Sequence, residues 1–414
     1  MVYKHNIFMY VQIILLFLAS GSLFWQFQGS YLFINLGMAF VAVLLLVRQV
    51  LVKGLLLTKN GAVILMVMAA FLMHALLIVP QPERFFDILT FINAHLFLFV
   101  ILNSYPREDI RKAYVELCVW GAGLALLFFG VGIVFGDDVR ALLPAVESRY
   151  VQETWTVGLA NFQQKFDVFN LTAWRAQLFF WEPAILGLYL VMALLLFLES
   201  AEKLTKKNWK VVSVLCFGVF STYSTTSIII MGAILAVYAL PAFRKNVLAA
   251  AGLVLVLLFN VGIAYKNFEQ KTDLSAIVGS DELIADTSYY KRTSDMRVSI
   301  SAIAAHPLLG MGFGVSPYEE FTDPFLWGRG NTVGTLSLFA QFGLFGLFWL
   351  APILFTRVRL FSVAVILIIY MNEPLTLTPM FLFLLSIFRK KHEGRRASEQ
   401  PFKGAADSPG SQMA

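Results

Sequence analysis

Long hydrophobic runs separated by short polar stretches dominate this chain. Many of the runs approach the roughly 20 residues that an α-helix needs to cross a lipid bilayer. The pattern therefore predicts an all-α integral membrane protein with about twelve transmembrane helices. The predicted spans cover residues 7–27, 30–47, 60–79, 85–102, 113–135, 176–198, 211–221, 226–241, 247–265, 333–355, 360–371 and 375–388.

The composition supports this class of protein. Hydrophobic residues make up 58% of the 414 positions and charged residues only 14%, whereas soluble domains are nearer about half apolar and about a quarter charged. The first run has no small-residue cleavage site and leads directly into a second run, so we interpret it as a retained membrane anchor and not as a signal peptide.

Basic residues indicate the orientation, because lysine and arginine favour cytoplasmic loops. With the N-terminus inside, twelve spans return the C-terminus to the cytoplasm, and the predicted inner loops hold nearly all the basic residues near the spans. These residues are Arg48, Lys53, Lys59, Arg107, Arg111, Lys112, Lys203, Lys206, Lys207, Lys210, Arg244, Lys245, Arg357, Arg359, Arg389, Lys390 and Lys391. The net charge of +6 is thereby explained without a nucleic-acid partner.

This topology predicts two long extracytoplasmic loops, about 136–175 and 266–332, which we expect to contain short helices. It also places the hydroxyl-rich corner 221–227 ("STYSTTS") and the sequence 305–314 ("AHPLLGMGFG") on the outer side. Residues 1–391 form the predicted membrane domain. Residues 392–414, with Ser, Pro and Gly dispersed among charges, resemble a disordered cytoplasmic tail.

Two charged residues occur near the start of predicted span six, where hydrophobic residues would be less costly. Arg175 lies at the outer mouth of the span, and Glu182 follows two turns deeper. Residues seven apart share a helix face, so both side chains could face one cavity. A carboxylate within a membrane helix is a functional hypothesis by default, and Pro183 would kink the helix. The alternative is a structural ion pair.

The second long loop contains a predicted helix that ends at His306-Pro307. Lys291, Arg292 and Arg297 cluster there, although the loop as a whole has six basic and nine acidic residues. Such a cluster among acids indicates an anion site, or simply a solvated helix. Arg292 and Arg297 would diverge by about 140° around a helix. Four apolar residues in its second half predict one buried face: Val298, Ile300, Ile303 and Ala304.

Alternate glycines at 310, 312 and 314 follow this helix. They follow no strand and open no βαβ unit, so they are not a dinucleotide-binding fingerprint. They indicate either a tight turn at the membrane surface or direct contact with a ligand. His306 is either a general base or a cation at the C-terminal end of the helix.

The order of these motifs resembles the O-antigen polymerase and ligase superfamily. The resemblance rests on Arg–x6–Glu-Pro at the start of a span, the Ser/Thr corner, arginines before "HPLLGMGFG", and "NTVGTLSLFAQFGLFGLFWL" at 331–350. It covers roughly residues 170–355 and is closer to a Wzy-type polymerase than to a ligase. The corner often carries Ser-Arg in that family, whereas here Thr225 follows Ser224.

The resemblance implies glycosyl transfer at the outer leaflet of the bacterial inner membrane. A growing glycan on undecaprenyl diphosphate would pass to a sugar hydroxyl of an incoming lipid-linked repeat unit, as in lipopolysaccharide biosynthesis. A chain-length regulator protein is an expected partner. A cationic clamp must stabilise the departing diphosphate, and a base must accept the hydroxyl proton. The candidates for the clamp are Arg175, Arg292, Arg297 and Arg329; those for the base are Glu182 and His306.

Other residues refine this hypothesis. Trp155, Trp174, Trp181 and Trp327 could stack on sugars but are better explained as an interfacial belt. The chain has no Asp-x-Asp and no His/Cys cluster at metal spacing, so we expect no metal and no cofactor. The alternatives are an O-antigen ligase and, in another class, a twelve-span transporter or lipid-sugar flippase. The transporter would account for Glu182 and for two further membrane histidines, His74 and His95.

The topology is directly testable with reporter fusions. A reporter fused near residue 150 or residue 280 should be active outside the cytoplasm, and one near residue 205 should be active inside, because of the distribution of basic residues. Fusions at 150 and 205 bracket one predicted span and serve as controls for each other. A cytoplasmic signal from residue 280 would contradict the predicted location of the site.

Overall fold

A computed structural model gives the fold of most of the hydrophobic runs. It describes residues 7–22, 28–53, 58–78, 85–136, 138–146, 154–156, 161–162, 165–168, 171–201, 206–238, 288–312, 333–356, 359–372, 375 and 377–388, together with the single positions 258, 262 and 265. Predicted span nine (247–265) therefore lies almost wholly outside the described residues, as does the tail.

The described chain is mainly helical. Its helices are α1 (Ile7–Ala19), α2 (Gln28–Lys53), α3 (Lys59–Leu77), α4 (Phe85–Ser104), α5 (Arg107–Phe135), α6 (Asp138–Leu142), α7 (Pro183–Ser200), α8 (Lys206–Thr222), α9 (Thr225–Tyr238), α10 (Ser288–Ala305), α11 (Gly334–Phe342), α12 (Ala351–Thr356), α13 (Leu360–Asn372) and α14 (Pro379–Ile387), with a 3-10 helix over Gly343–Leu350. Its strands are β1 (Ala145–Val146), β2 (Thr154–Thr156), β3 (Asn161–Phe162), β4 (Lys165–Val168) and β5 (Leu171–Trp174).

Helix α7 is the centre of the bundle. It is apolar on all sides and buried along nearly its whole length, as expected for a helix surrounded by protein. Helices α5, α8, α9 and α13 pack against it. Helix α2, by contrast, exposes large apolar side chains such as Phe33 and Phe40, which is the pattern of a helix that faces lipid.

Among the residues that the structure describes, four helical segments are long and apolar enough to cross a membrane by length and composition, namely Leu32–Leu51, Arg107–Phe135, Pro183–Ser200 and Gly334–Ile353. Shorter apolar helices occur at five more of the predicted positions. The prediction of a helical membrane protein is thus supported, whereas the number twelve stays a prediction. Span ten is not one regular α-helix, because α11 ends at Phe342 and a 3-10 helix follows.

The start of predicted span six was wrong. Residues 175–182 are not helical, and α7 begins only at Pro183, with Glu182 as its N-cap residue. Arg175 and Glu182 therefore do not share a helix face. Pro183 also does not kink the helix. It occupies the first helical turn, where a missing N–H costs no hydrogen bond.

The first long loop differs from the expected short helices. It contains α6, but also a three-stranded antiparallel sheet in the order β1-β2-β3 and a hairpin of β4 and β5. Trp174, at the end of β5, is buried: its indole Nε1–H donates to the carbonyl of Gly136 at 2.7 Å. An interfacial role for Trp174 was therefore wrong, because the ring anchors the hairpin to the C-terminal end of α5.

Glu199 joins three helices at the opposite end of α7. Its carboxylate accepts hydrogen bonds from the hydroxyls of Ser362 in α13 and Tyr238 in α9, and Arg359 donates to the Tyr238 hydroxyl at 3.4 Å. These hydrogen bonds offset the free-energy cost of desolvating the half-buried carboxylate. The network fixes the ends of α7, α9 and α13 against one another.

The glycine motif forms a turn against the end of α11. Two amides of the turn, those of Met311 and Gly312, donate to the carbonyls of Ala340 and Gln341 at 2.9 and 3.0 Å. In return, the amide of Leu344 lies 3.1 Å from the carbonyls of Pro307 and Leu308. The last carbonyls of a helix lack intrahelical hydrogen-bond donors. The amides of the turn provide these donors, so α11 can end within the bundle.

This contact explains why glycine is needed. Gly310 has φ +69°, and a Cβ at this position would lie 2.3 Å from the carbonyl oxygen of Gln341. Gly343, on the other side of the contact, has φ +54°, and its Cβ would lie 2.5 Å from the carbonyl oxygen of Leu308. Two backbones approach where no side chain fits. The structure thus supports the tight turn, one of the two readings of the motif.

We predict that Gly310→Ala destabilises the protein by about 2 kcal/mol or more, because the Cβ meets backbone and φ is positive. The measurement is the thermal unfolding midpoint of the purified protein in detergent. Gly37→Ala is the matched control, since no atom lies within 4 Å of a Cβ there. An unchanged midpoint for Gly310→Ala would contradict the described contact.

Candidate functional site

The candidate site lies at one end of the bundle, which we call the polar end. It consists of residues 19–22 at and after the end of α1, the non-helical segment 175–182, the N-terminal end of α7 and the corner 221–227 between α8 and α9. Phe180 forms a β-bridge with Ser22, and the amide of Trp181 donates to the carbonyl of Gly21 at 3.2 Å. Segment 175–182 is thus fixed on both sides by hydrogen bonds to neighbouring chain segments.

Arg175 is bound to the corner. Its Nε donates to the carbonyl of Thr222 at 2.9 Å and its Nη2 to that of Tyr223 at 3.3 Å. The adjacent amide of Ala176 donates to the carbonyl of Ser221 at 2.9 Å. These carbonyls form the C-terminal end of α8, where the helix dipole favours a cation. The half-buried guanidinium therefore provides the corner with the positive charge that its own sequence lacks.

Glu182 ends the same segment. It is partly exposed, and its side chain does not cap α7. Within the described part of the chain, its carboxylate has no hydrogen-bond or salt-bridge partner. The structural ion pair that the sequence left open therefore receives no support from these residues. A carboxylate in this position is able to accept a proton from an incoming hydroxyl.

Most hydroxyls of the corner have structural roles. Ser224 is positioned as an N-cap, because its Oγ lies 3.4 Å from the amide of Ser227. Thr222 and Ser227 surround Gly187 of α7, where a Cβ would lie 2.9 and 2.6 Å from their hydroxyl oxygens. The partly exposed residues of the corner are Tyr223, Thr225 and Thr226. Partial burial raises the pKa of Tyr223, so its phenol stays protonated.

The second group of candidates is carried by α10, whose existence was predicted correctly. Arg292 is half-buried and Arg297 is exposed, which agrees with their divergence around the helix. The predicted buried face was correct only in part. Val298 is buried and Ile303 packs beside it, whereas Ile300 is 52% exposed and Ala304 is exposed. The other buried residues are Asp295, Ser299 and Ala302, because the helix packs on Ala340 of α11 through Val298 and Ala302.

His306 follows the end of α10 and is exposed. Its amide donates to the carbonyl of Ala302, and its carbonyl accepts from the amide of Gly310, both at 2.9 Å. The backbone of His306 is therefore part of the turn on α11, whereas its side chain is accessible. The structure does not decide between the two roles predicted for His306, a general base and a cation at the C-terminal end of the helix. Arg329, Trp327 and Gly314 lie outside the described residues.

The two groups of candidates are held by different parts of the fold. Arg175 and Glu182 are positioned by α1, α7 and α8, whereas His306 and α10 are positioned by α11. Among the described residues, neither the carboxylate of Glu182 nor the guanidinium of Arg297 has a hydrogen-bond or ion-pair partner, whereas the backbone carbonyl of Glu182 accepts from the amide of Ile185 at 3.2 Å.

The sequence did not indicate several residues that position the site. The backbone of Gly21 and Ser22 pairs with segment 175–182, and Asn161 of β3 donates to the carbonyl of Phe180 at 3.3 Å. His74 is buried in α3, and its Nε2 bonds to the carbonyl of Leu309 in the turn. Only the small residues around Gly21, which has φ +123°, were a visible signal of a sharp turn in the chain.

The described residues contain no cluster of three or more His, Cys, Asp or Glu side chains able to hold a metal ion. The donor set at the polar end consists of hydroxyls, carbonyls, one carboxylate and one guanidinium. Such a set suits the recognition of phosphate and sugar groups, because arginine binds phosphate through parallel hydrogen bonds.

Comparison with known proteins identifies one family. Residues 210–351, about a third of the chain, match the family model Wzy_C, described as O-Antigen ligase. The match includes the corner, α10, the turn and α11, whereas Arg175 and Glu182 precede it. Curated proteins and solved structures gave no match. Residues 210–351 are thus similar to the Wzy_C family, which is consistent with the O-antigen polymerase and ligase superfamily.

Proposed function

We propose that this protein is a polysaccharide polymerase of the Wzy type, acting on undecaprenyl-diphosphate-linked glycans at the outer leaflet of the bacterial inner membrane. The match to Wzy_C supports glycosyl transfer in surface polysaccharide synthesis. The arrangement at the polar end carries the proposal. There, one fixed segment presents a guanidinium at a hydroxyl-rich corner and a carboxylate with no described partner.

The reaction joins two lipid-linked glycans. A hydroxyl oxygen of the acceptor sugar attacks the anomeric carbon of the growing glycan, and the bond from that carbon to the diphosphate oxygen breaks. The bonding electron pair leaves with the undecaprenyl diphosphate, and the hydroxyl proton passes to a base. The products are the elongated glycan on the acceptor lipid and free undecaprenyl diphosphate.

Each candidate has a defined role in this step. Glu182 or His306 accepts the proton. Arg292 and Arg297 stabilise the charge that develops on the departing diphosphate, and Arg329 is a further candidate. Arg175 supplies positive potential at the corner. Because two of its nitrogens already donate to backbone carbonyls, we expect it to orient a phosphate group and not to move with it.

The ligase is the second candidate, because the matching family model is itself described as O-Antigen ligase. The two enzymes share donor chemistry and differ in the acceptor. The transporter is less well supported, since its two further membrane histidines have structural contacts: His74 bonds to the turn, and His95 Nδ1 bonds to the carbonyl of Phe91 at 2.7 Å.

Reconstitution separates these functions. The purified protein in liposomes should convert lipid-linked repeat units, supplied alone, into a ladder of polymer on a gel. A ligase would give no ladder from repeat units alone and would transfer glycan only when a lipopolysaccharide core acceptor is added. Movement of the lipid across the bilayer without any new glycosidic bond would contradict both and favour the flippase.

Glu182→Gln tests the base. The substitution keeps the size of the side chain and removes its charge, so polymer should disappear while the protein still accumulates in the membrane. Glu199→Gln is the matched control at the other end of α7. It should lower the thermal stability, through loss of the α7–α9–α13 network, and leave the activity per folded molecule unchanged. Normal polymer from well-expressed Glu182→Gln would remove Glu182 from the site.

Arg297→Lys and Arg292→Lys test the clamp. Lysine keeps the charge but loses the planar fork of donors, and the loss of one preorganised donor typically lowers the rate by about a hundredfold or more. Lipid-linked single repeats should accumulate while long chains disappear. Arg48→Lys, an exposed arginine of α2, is the control. Full polymer yield from both variants would show that arginine geometry is not required.

A further inference from the structure

Helix α10 has an exposed surface on which apolar and polar side chains lie side by side. Met296 and Ile300 are 40% and 52% exposed, and they lie about 40° apart around the helix. Arg297 lies about 60° beyond Ile300, and Ser301 lies about 100° beyond it. Both are exposed. One side of the exposed arc is thus apolar and the other is polar, which is the pattern of a helix at a lipid boundary.

The packing of α10 against α11 places this edge beside the bundle of apolar helices. Val298 and Ala302 pack on Ala340 of α11, and the turn after α10 bonds to the carbonyl of the same residue. Ala340 lies about 9 Å along the axis from Gly334, at about 1.5 Å per residue. Gly334 is the first residue of the apolar span Gly334–Ile353. The C-terminal end of α10 therefore lies alongside a segment that is long and apolar enough to cross a membrane.

The apolar edge continues into an exposed surface of the candidate span Gly334–Ile353. Leu308 in the turn is 65% exposed and is adjacent to Leu344 of the 3-10 helix, which is 55% exposed and donates its amide to the carbonyl of Leu308. Leu347, one turn further along the same span, is also exposed. Exposed leucines along a segment of this hydropathy are suited to contact with the hydrocarbon of a bilayer.

We propose that the edge formed by Met296, Ile300 and Leu308 is embedded in a lipid leaflet, with Arg297 at the level of the lipid phosphates. The occupant of this surface is bilayer lipid. The continuity with the span Gly334–Ile353 supports it, as does the position of a cation directly beside the apolar edge, where it meets the anionic head groups. Helix α10 then separates lipid from water along its length.

The placement has a consequence for the proposed reaction, and in this respect it rests on the proposed function. A lipid-linked glycan has its diphosphate at the head-group level and its hydrocarbon chain in the leaflet. Arg297 would meet that diphosphate from the lipid side, so a substrate could approach the site by lateral diffusion. The embedding of α10 itself does not depend on the reaction.

Site-directed fluorescence in nanodiscs tests the proposal without substrate. The native thiols are removed with Cys118→Ala and Cys216→Ala, and a bimane label is attached at Ile300→Cys, Met296→Cys or the control Ser301→Cys. In phosphatidylcholine with brominated acyl chains, the labels at 300 and 296 should be blue-shifted and strongly quenched relative to unbrominated lipid. The label at 301, on the polar side, should be quenched much less.

Two other outcomes of the quenching experiment would overturn the proposal. Equal weak quenching at all three positions would show that the edge faces water. A blue shift at 300 without quenching by brominated lipid would show that protein, such as a second copy of the chain, covers the edge. Measuring both 296 and 300 keeps the test decisive if one variant does not fold. A failure of polymer synthesis with normal quenching would reject the proposed function and leave the embedding intact.

Discussion

A backbone N–H or carbonyl group without a hydrogen-bond partner costs several kcal/mol in a bilayer, and this constraint explains how two non-helical segments are held. The segments, 175–182 and 306–312, lie against apolar helices. Each is held by the open carbonyls at the C-terminal end of one helix, α8 for the first and α11 for the second. The amides of the irregular segments and the carbonyls at the helix ends thus supply each other with hydrogen-bond partners.

This pairing also positions the chemistry. Because the guanidinium of Arg175 is bound at the end of α8, the charge lies beside the corner that the Wzy_C match includes, although Arg175 itself precedes the match. Glu182 follows at the first turn of the most buried helix of the bundle, so its backbone has little freedom. His306 lies on the turn against α11. Rigid backbone around accessible side chains is what a preorganised transferase site requires.

The sequence predicted those features that depend on local pattern. Hydrophobic runs gave most of the helices, and the glycines indicated a close backbone approach. The non-helical path of 175–182 was not predictable, because "AQLFFW" is as apolar as a helix and its conformation depends on partners far away, such as Gly21 and Ser221. The small sheets of the first loop likewise depend on pairing between short strands and not on a long alternating pattern.

The exposed Ile300 illustrates a second feature that could not be predicted from the sequence. All four apolar residues of α10 were assigned to a buried face, as in a soluble protein, whereas lipid is as apolar as a protein core and an exposed side chain such as Ile300 costs nothing there. Of the four, Val298 and Ile303 do pack toward α11, together with Ala302. The charged candidates were indicated by the cost of charge near a membrane, and His74 was noted for the same reason without its contact to the turn being predictable. Ser22 and Asn161, which hold the backbone in place, gave no signal of that kind.

Hydrogen–deuterium exchange of the protein in nanodiscs tests the central claim most directly. Overlapping peptides that report the amides of Ala176, Trp181, Met311 and Gly312 would be compared with those from the interior of α7. The account predicts that these four amides exchange slowly although they lie outside regular helices, because each donates to a fixed carbonyl. Exchange at the rate of an unstructured peptide would contradict it.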